Sequence, residues 1–123
     1  MPTSVLPSTR ERGLAAEEVA ARYLLDTGHH ILKRNLSTRY GEIDILAKKN
    51  GEFIAVEVRS HRRDTPIPPE LSVSVTKYRH LVRTLLSLPF LHNQPTRIDL
   101  VTVVKGQVRR HYRSIDPTRG AYA

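Results

Sequence analysis

Cysteine is absent from the 123-residue chain. That excludes disulfides and thiolate metal sites, and it suits a reducing compartment. No long apolar segment is present either, and the most apolar helical stretch is interrupted by Arg83, so no membrane-spanning helix is expected. The opening MPTSVLPSTR lacks the apolar centre of a signal peptide, and a cytoplasmic location is the expectation that follows. The six histidines are scattered without ligand-like spacing, which argues against zinc. Repeats and low-complexity tracts are also missing.

What remains is a composition of ordinary globular type, with 39% hydrophobic and 26% charged residues. A chain of this length buries roughly two thirds of its unfolded surface, enough for one real core. The charge is less ordinary: 20 Lys and Arg against 12 Asp and Glu leave +8. Such an excess favours a polyanionic partner through phosphate contacts and counterion release.

The organisation reads as a flexible arm over residues 1–9, a single domain over 10–116 and a tail over 117–123. Residues 10–26 are Ala-rich and helical, ending near Gly28, with Leu14, Ala21, Leu24 and Leu25 as the expected buried stripe. Glu17 falls beside that stripe, and Glu18 is spaced to pair with Arg22 four residues on. Residues 30–35 read as a strand. GEIDILAKKNGEFIAVEVR, residues 41–59, reads as two strands around Asn50-Gly51. SHRRDTPIPPE is a proline-rich basic loop, and residues 76–88 form a helix with Tyr78, Leu81, Val82 and Leu85 on its apolar face. Lys77, Arg79, His80 and Arg83 lie on its polar sides, and Pro89 ends it. RIDLVTVV and VRRHYRSI flank Lys105-Gly106 as two further strands.

The hairpin poses a chemical question, because each of its strands carries an acid among aliphatic residues. A two-residue type I′ turn at Asn50-Gly51 sets Lys49 opposite Glu52 and fixes every facing pair beyond it. Ile43, Ile45 and Ala47 then face Val58, Val56 and Ile54 on one wholly apolar side. On the other side Asp44 faces Glu57, and Glu42 faces Arg59. Like charges directly opposed across a sheet are destabilising, so something must compensate. A divalent cation such as Mg²⁺ or Mn²⁺ does so while leaving positions for water and phosphate oxygen. Arg59 would then lie near the phosphate. A solvated cluster in which Arg59, Lys77 or Arg39 pairs the two acids is the other reading of the same residues.

Glu17 is a candidate third acid of a metal site or a helix glutamate at the solvent boundary. Lys77 is a candidate phosphate contact or a solvated lysine. The run His61-Arg62-Arg63 follows Arg59 and points basic side chains at the same end of the sheet, as nucleic-acid backbone contact requires and as an ordinary solvated loop also would. His29-His30 is assigned to a helix-to-strand junction without chemistry.

Taken together, A-E-x-x-A at Ala16, Glu17 and Ala20, the segment ARYLLDTGHHILKRN, GEIDILA, FIAVEVRSH, Lys77 opening a helix, and RIDLVTV resemble the YraN-like family of small bacterial proteins. The resemblance spans residues 13–116. It implies an α/β, restriction-endonuclease-like fold, a mixed β-sheet flanked by helices, with a PD-(D/E)xK centre related to Holliday-junction resolvases. Glu17, Asp44 and Glu57 fall on the family's acidic positions and Lys77 on its second-helix lysine. The family reads E-V-K-x-R where this chain reads Glu57-Val58-Arg59-Ser60-His61, so Arg59 stands in place of the motif lysine. A lysine can help deprotonate water, whereas a guanidinium stays charged and only donates.

The expectation is a metal-dependent nucleic-acid-binding protein, an endonuclease by resemblance. Asp44, Glu57 and Glu17 would hold Mg²⁺ or Mn²⁺, and Arg59, His61, Arg62, Arg63 and Lys77 would contact DNA. A homodimer is reasonable for resolvase-like chemistry on two strands. The alternative is a non-catalytic nucleic-acid-binding module with a degenerate nuclease site.

Overall fold

Ser8 is extended and caps the first helix, its hydroxyl accepting the Glu11 N–H at 3.1 Å. The structure is a computed structural model that describes residues 8–64, 66, 68 and 72–119. Its elements in chain order are α1 (Thr9–Asp26), β1 (His30–Thr38), β2 (Gly41–Lys49), β3 (Glu52–His61), α2 (Val75–Ser87), β4 (Thr96–Val104) and β5 (Gln107–Tyr112). Short 3₁₀ turns follow α2 at Pro89–Leu91 and β5 at Pro117–Arg119. Most of the proposed arm, the last four residues of the tail and part of the proline-rich loop lie outside the described residues. Thr9, expected in the arm, is already helical.

One sheet holds the strands in the order β1-β2-β3-β4-β5. Pairing is antiparallel except between β3 and β4, which are parallel. Parallel neighbours need a crossover, and the segment carrying α2 supplies it. Helix α1 covers one face through Ala16, Ala20, Ala21 and Leu24, packed on Ile45, Ala47, Ile54, Val56, Val101 and Val103. Helix α2 covers the other through Leu81 and Leu85, packed with Leu46, Phe53, Ala55, Ile98 and Leu100. The fold is thus α/β, a mixed sheet flanked by helices, as expected.

Several local expectations change. Leu14 and Leu25 are exposed, and alanines carry the buried face of α1, because small side chains let the helix lie close to the sheet. Glu18 pairs with Arg34 of β1 at 2.8 Å rather than with Arg22, since β1 passes within reach of that helix face. Strand β1 also runs three residues beyond its expected end.

The Asn50-Gly51 turn is as expected, with φ of 51° and 80°, the left-handed pair that a type I′ turn requires. The expected register holds from Lys49↔Glu52 to Ile45↔Val56. There the β2–β3 ladder stops, so Asp44 and Glu57, Ile43 and Val58, and Glu42 and Arg59 are not ladder partners. Ile43 joins the α2-side core while Ile45 joins the α1-side core, which means that the strand's alternation breaks between them, at Asp44. Asn35 lies between Arg34, paired with Ile45, and Leu36, paired with Ile43, and has φ 52°. Both strands are irregular at one level. The expectation of a single apolar side also gives way, since the hairpin is central and buried on both faces.

Candidate functional site

The irregularity in β2 gives Asp44 its role. Where the ladder ends, its Oδ2 accepts the Val58 N–H of β3 at 2.9 Å, so the carboxylate takes the place of a ladder carbonyl. The neighbouring Glu57 is only 3% exposed. Its Oε2 receives Arg59 Nη2 at 2.9 Å, with Lys77 Nζ at 3.8 Å. Its Oε1 is buried and receives no donor among the described residues. Lys77 reaches the site because Ser74 caps α2 and its hydroxyl accepts the Lys77 N–H at 3.1 Å, fixing the first turn of that helix.

Burial raises the Glu57 carboxyl to about 8, helped by the nearby Asp44 carboxyl. Lys77 and Arg59 pull the other way without offsetting it. Two like charges are therefore held together at the end of a ladder, and one takes up a proton in the absence of another cation.

Glu17 stands next to this pair. Burial raises its carboxyl, followed by the charges of Asp44 and Glu42, against a smaller lowering by Arg34. With its amide nitrogen turned toward them, Asn35 donates to Glu17 Oε1 at 2.7 Å and to Glu42 Oε1 at 3.2 Å. Glu17 is thus within electrostatic reach of Asp44 but tethered to Asn35. Among the described residues, no three His, Asp or Glu side chains form a ready metal cage. The structure brings together Asp44, Glu57, Arg59 and Lys77, with Glu17 adjoining. His61 closes β3, Arg62 lies in a groove with Arg59, and Arg63 is exposed on the loop beyond. Arg39 turns instead to its neighbour, with Nη2 donating to the Tyr40 hydroxyl at 2.6 Å.

The donor set suits a hard divalent cation. Two carboxylates meet, one oxygen has no donor, and their mutual repulsion is relieved by positive charge. The guanidinium of Arg59 already supplies part of that charge.

A second buried acid had gone unremarked. Asp99 of β4 is fully buried and accepts Arg97 Nε at 3.0 Å, Arg97 Nη2 at 3.2 Å, the Ser114 N–H at 3.0 Å and His111 Nε2 at 2.8 Å. Burial alone would raise its carboxyl, but hydrogen bonds from His111, Arg97 and Ser114 lower it overall. Arg97 Nη1 extends the network to Glu52 at 2.7 Å, and His111 Nδ1 meets the Tyr23 hydroxyl at 2.8 Å, tying α1, β3, β4 and β5 together. The signal was an acid inside the apolar run RIDLVTVV, the same pattern that marked Asp44 and Glu57. His29, placed at the junction, is buried there with Nδ1 at 3.1 Å from the Leu24 carbonyl oxygen.

A family model described as Uncharacterised protein family UPF0102 matches residues 16–103. That span includes Glu17, Asp44, Glu57, Arg59, Lys77 and Asp99. A UPF0102 protein of Aquifex aeolicus is 39% identical over 104 residues, covering 85% of this chain and 95% of its own. UPF0102 proteins of Lachnoclostridium phytofermentans and Pelobacter propionicus are 37% and 34% identical, covering 79% and 85% of this chain and 86% and 79% of their own. With the family model matching residues 16–103 and relatives above 30% identity covering most of the chain, the chain belongs to UPF0102, the YraN-like family.

Proposed function

We propose that the protein binds nucleic acid, DNA in the first instance, and hydrolyses phosphodiesters at a divalent-cation site formed by Asp44 and Glu57. The observation that carries this reading is the buried Glu57, with one oxygen lacking a donor among the described residues and the Asp44 charge close enough to raise its carboxyl. A bound Mg²⁺ or Mn²⁺ would supply polarisation of the phosphodiester and acidification of a water. The chain's own residues do the positioning. The Val58 N–H orients Asp44. Arg59 and Lys77 bring positive charge to the place where a phosphate would arrive, and Glu17 adds negative charge beside Asp44. The net charge of +8 favours the polyanion in general.

The test is cleavage of branched, single-stranded and duplex DNA with Mg²⁺ or Mn²⁺ by the wild type and by Asp44→Ala. The expected outcome is metal-dependent cleavage that falls by about 10²-fold or more in the variant, the scale on which loss of charge stabilisation acts. Equal rates would remove the catalytic reading.

One observation favours a second reading. Arg59 already holds Glu57 at 2.9 Å, and a guanidinium cannot take a proton from water. A non-catalytic binding module would bind DNA indifferently to chelator, and cleavage would appear only on Arg59→Lys. Cleavage by the wild type, reduced rather than created by that substitution, discards the module.

A further inference from the structure

Beside the paired acids runs a groove of about 620 Å³ between the first half of α1, the end of β3 and the β4–β5 turn. It falls within the ~300–1,000 Å³ range of small-ligand pockets. Val58 and Arg59 belong both to it and to the candidate site, so the two spaces adjoin. Arg12, Arg59, His61, Arg62 and Lys105 contribute to its lining, and no acid among the described residues does. The same lining also holds Ala15, Ala16, Val19, Val58 and Val103, which offer methyl groups.

Phosphates alone would use the cationic side chains and have no use for the apolar ones. A duplex presents its phosphates outward and keeps its bases stacked. An unpaired strand presents both, with backbone charge for the cationic side chains and a base face for the methyl groups and guanidinium planes. We infer that the groove receives an unpaired nucleotide of a DNA strand leading from the candidate site, so that the substrate carries a single-stranded segment beside the phosphodiester concerned. The inference rests on the proposed nucleic-acid function and adds the substrate class.

Gly13 offers a test that spares the fold. It lines the groove, and a Cβ added there meets nothing within 4 Å. Gln and Glu are both better helix formers than the glycine they replace at this helical position, so folding is not at risk. Binding of a fluorescent single-stranded oligodeoxynucleotide and of a blunt duplex of equal length is measured in chelator for the wild type, Gly13→Gln and Gly13→Glu. The wild type is expected to favour the single strand. Gly13→Glu should weaken single-strand binding by about tenfold, the scale of one stacked base, with less effect on the duplex. Gly13→Gln should fall between it and the wild type.

Gly13→Glu lowering both affinities alike, or leaving single-strand affinity within roughly twofold of the wild type, overturns the groove assignment. If the same preparation still cleaves DNA in a manner that depends on Asp44, only the groove is lost. If the wild type binds neither oligonucleotide at low salt, the nucleic-acid reading falls with it.

Discussion

At Glu57 three influences compete: burial, the facing carboxyl of Asp44, and the cations Arg59 and Lys77, and the first two prevail, raising the group to about 8. The sign of the consequence is fixed by linkage. An unfolded glutamate titrates near ~4.3, so the folded state binds the proton more tightly between that value and about 8. The stabilisation is complete below the unfolded value and is lost as pH rises through the folded one. Glu57→Gln keeps a neutral group of the same shape. Thermal melts in chelator from pH 5 to 9 should therefore show the wild type losing stability across this window while Glu57→Gln stays flatter, and parallel curves would contradict the assignment. Divalent cations reverse the sense, because they compete with the proton. Mn²⁺ should raise the wild-type melting temperature more at pH 9 than at pH 6, and Glu57→Gln should lose most of that gain. A gain independent of pH would place the cation elsewhere.

Among the elements, β2 does most to create the site, and its first residue shows how. Gly41 has φ 147°, and a Cβ built there would lie 3.3 Å from the His80 Cβ of α2. Thr84, one turn further along α2, accepts the Thr38 hydroxyl at 3.4 Å, so the β1–β2 turn and α2 are packed at this glycine. Gly41→Ala should cost about 1–3 kcal/mol in chemical denaturation, through backbone strain and crowding together. A midpoint equal to the wild type's would show that α2 can withdraw. The glycine at the head of GEIDILA thus has a packing reason. Turn chemistry is local, which is why Asn50-Gly51 announced the register of five pairs in advance. The interruption at Asp44 was not visible in that pattern, because it depends on Asn35 turning left-handed on one side and on the Val58 N–H being captured on the other. The leucines of α1 misled for a related reason. Hydrophobicity favours Leu14 and Leu25, but the spacing between helix and sheet is set by the alanines they flank. Asp44, Glu57, Arg59 and Lys77 were legible as a group from strand alternation and family resemblance, whereas the Asp99 network draws on four elements that no local pattern connects.

For the molecule as a whole, the question is where an excess of eight positive charges acts. No helix among the described residues is long and apolar enough to cross a membrane. Part is neutralised internally: Arg97 serves Asp99 and Glu52, Arg34 serves Glu18, and Arg109 and Arg110 flank Asp64 at 3.8 and 3.5 Å. Those last two contacts also bring the loop after β3 toward β5. Arg62 and Arg63 on that loop are exposed, just past the strand end that carries Glu57 and Arg59. Exposed cations contribute little to folding but add counterion release on meeting a phosphate backbone. The double substitution Arg62→Ala/Arg63→Ala should leave the melting temperature unchanged and lower DNA affinity for every sequence alike. The slope of log K against log salt should shrink by ~0.7 per lost contact on single strands and ~0.9 on duplex. An unchanged slope with a lowered melting temperature would mean that the two arginines hold the loop rather than the ligand, and would move the electrostatic footprint off this end of the sheet.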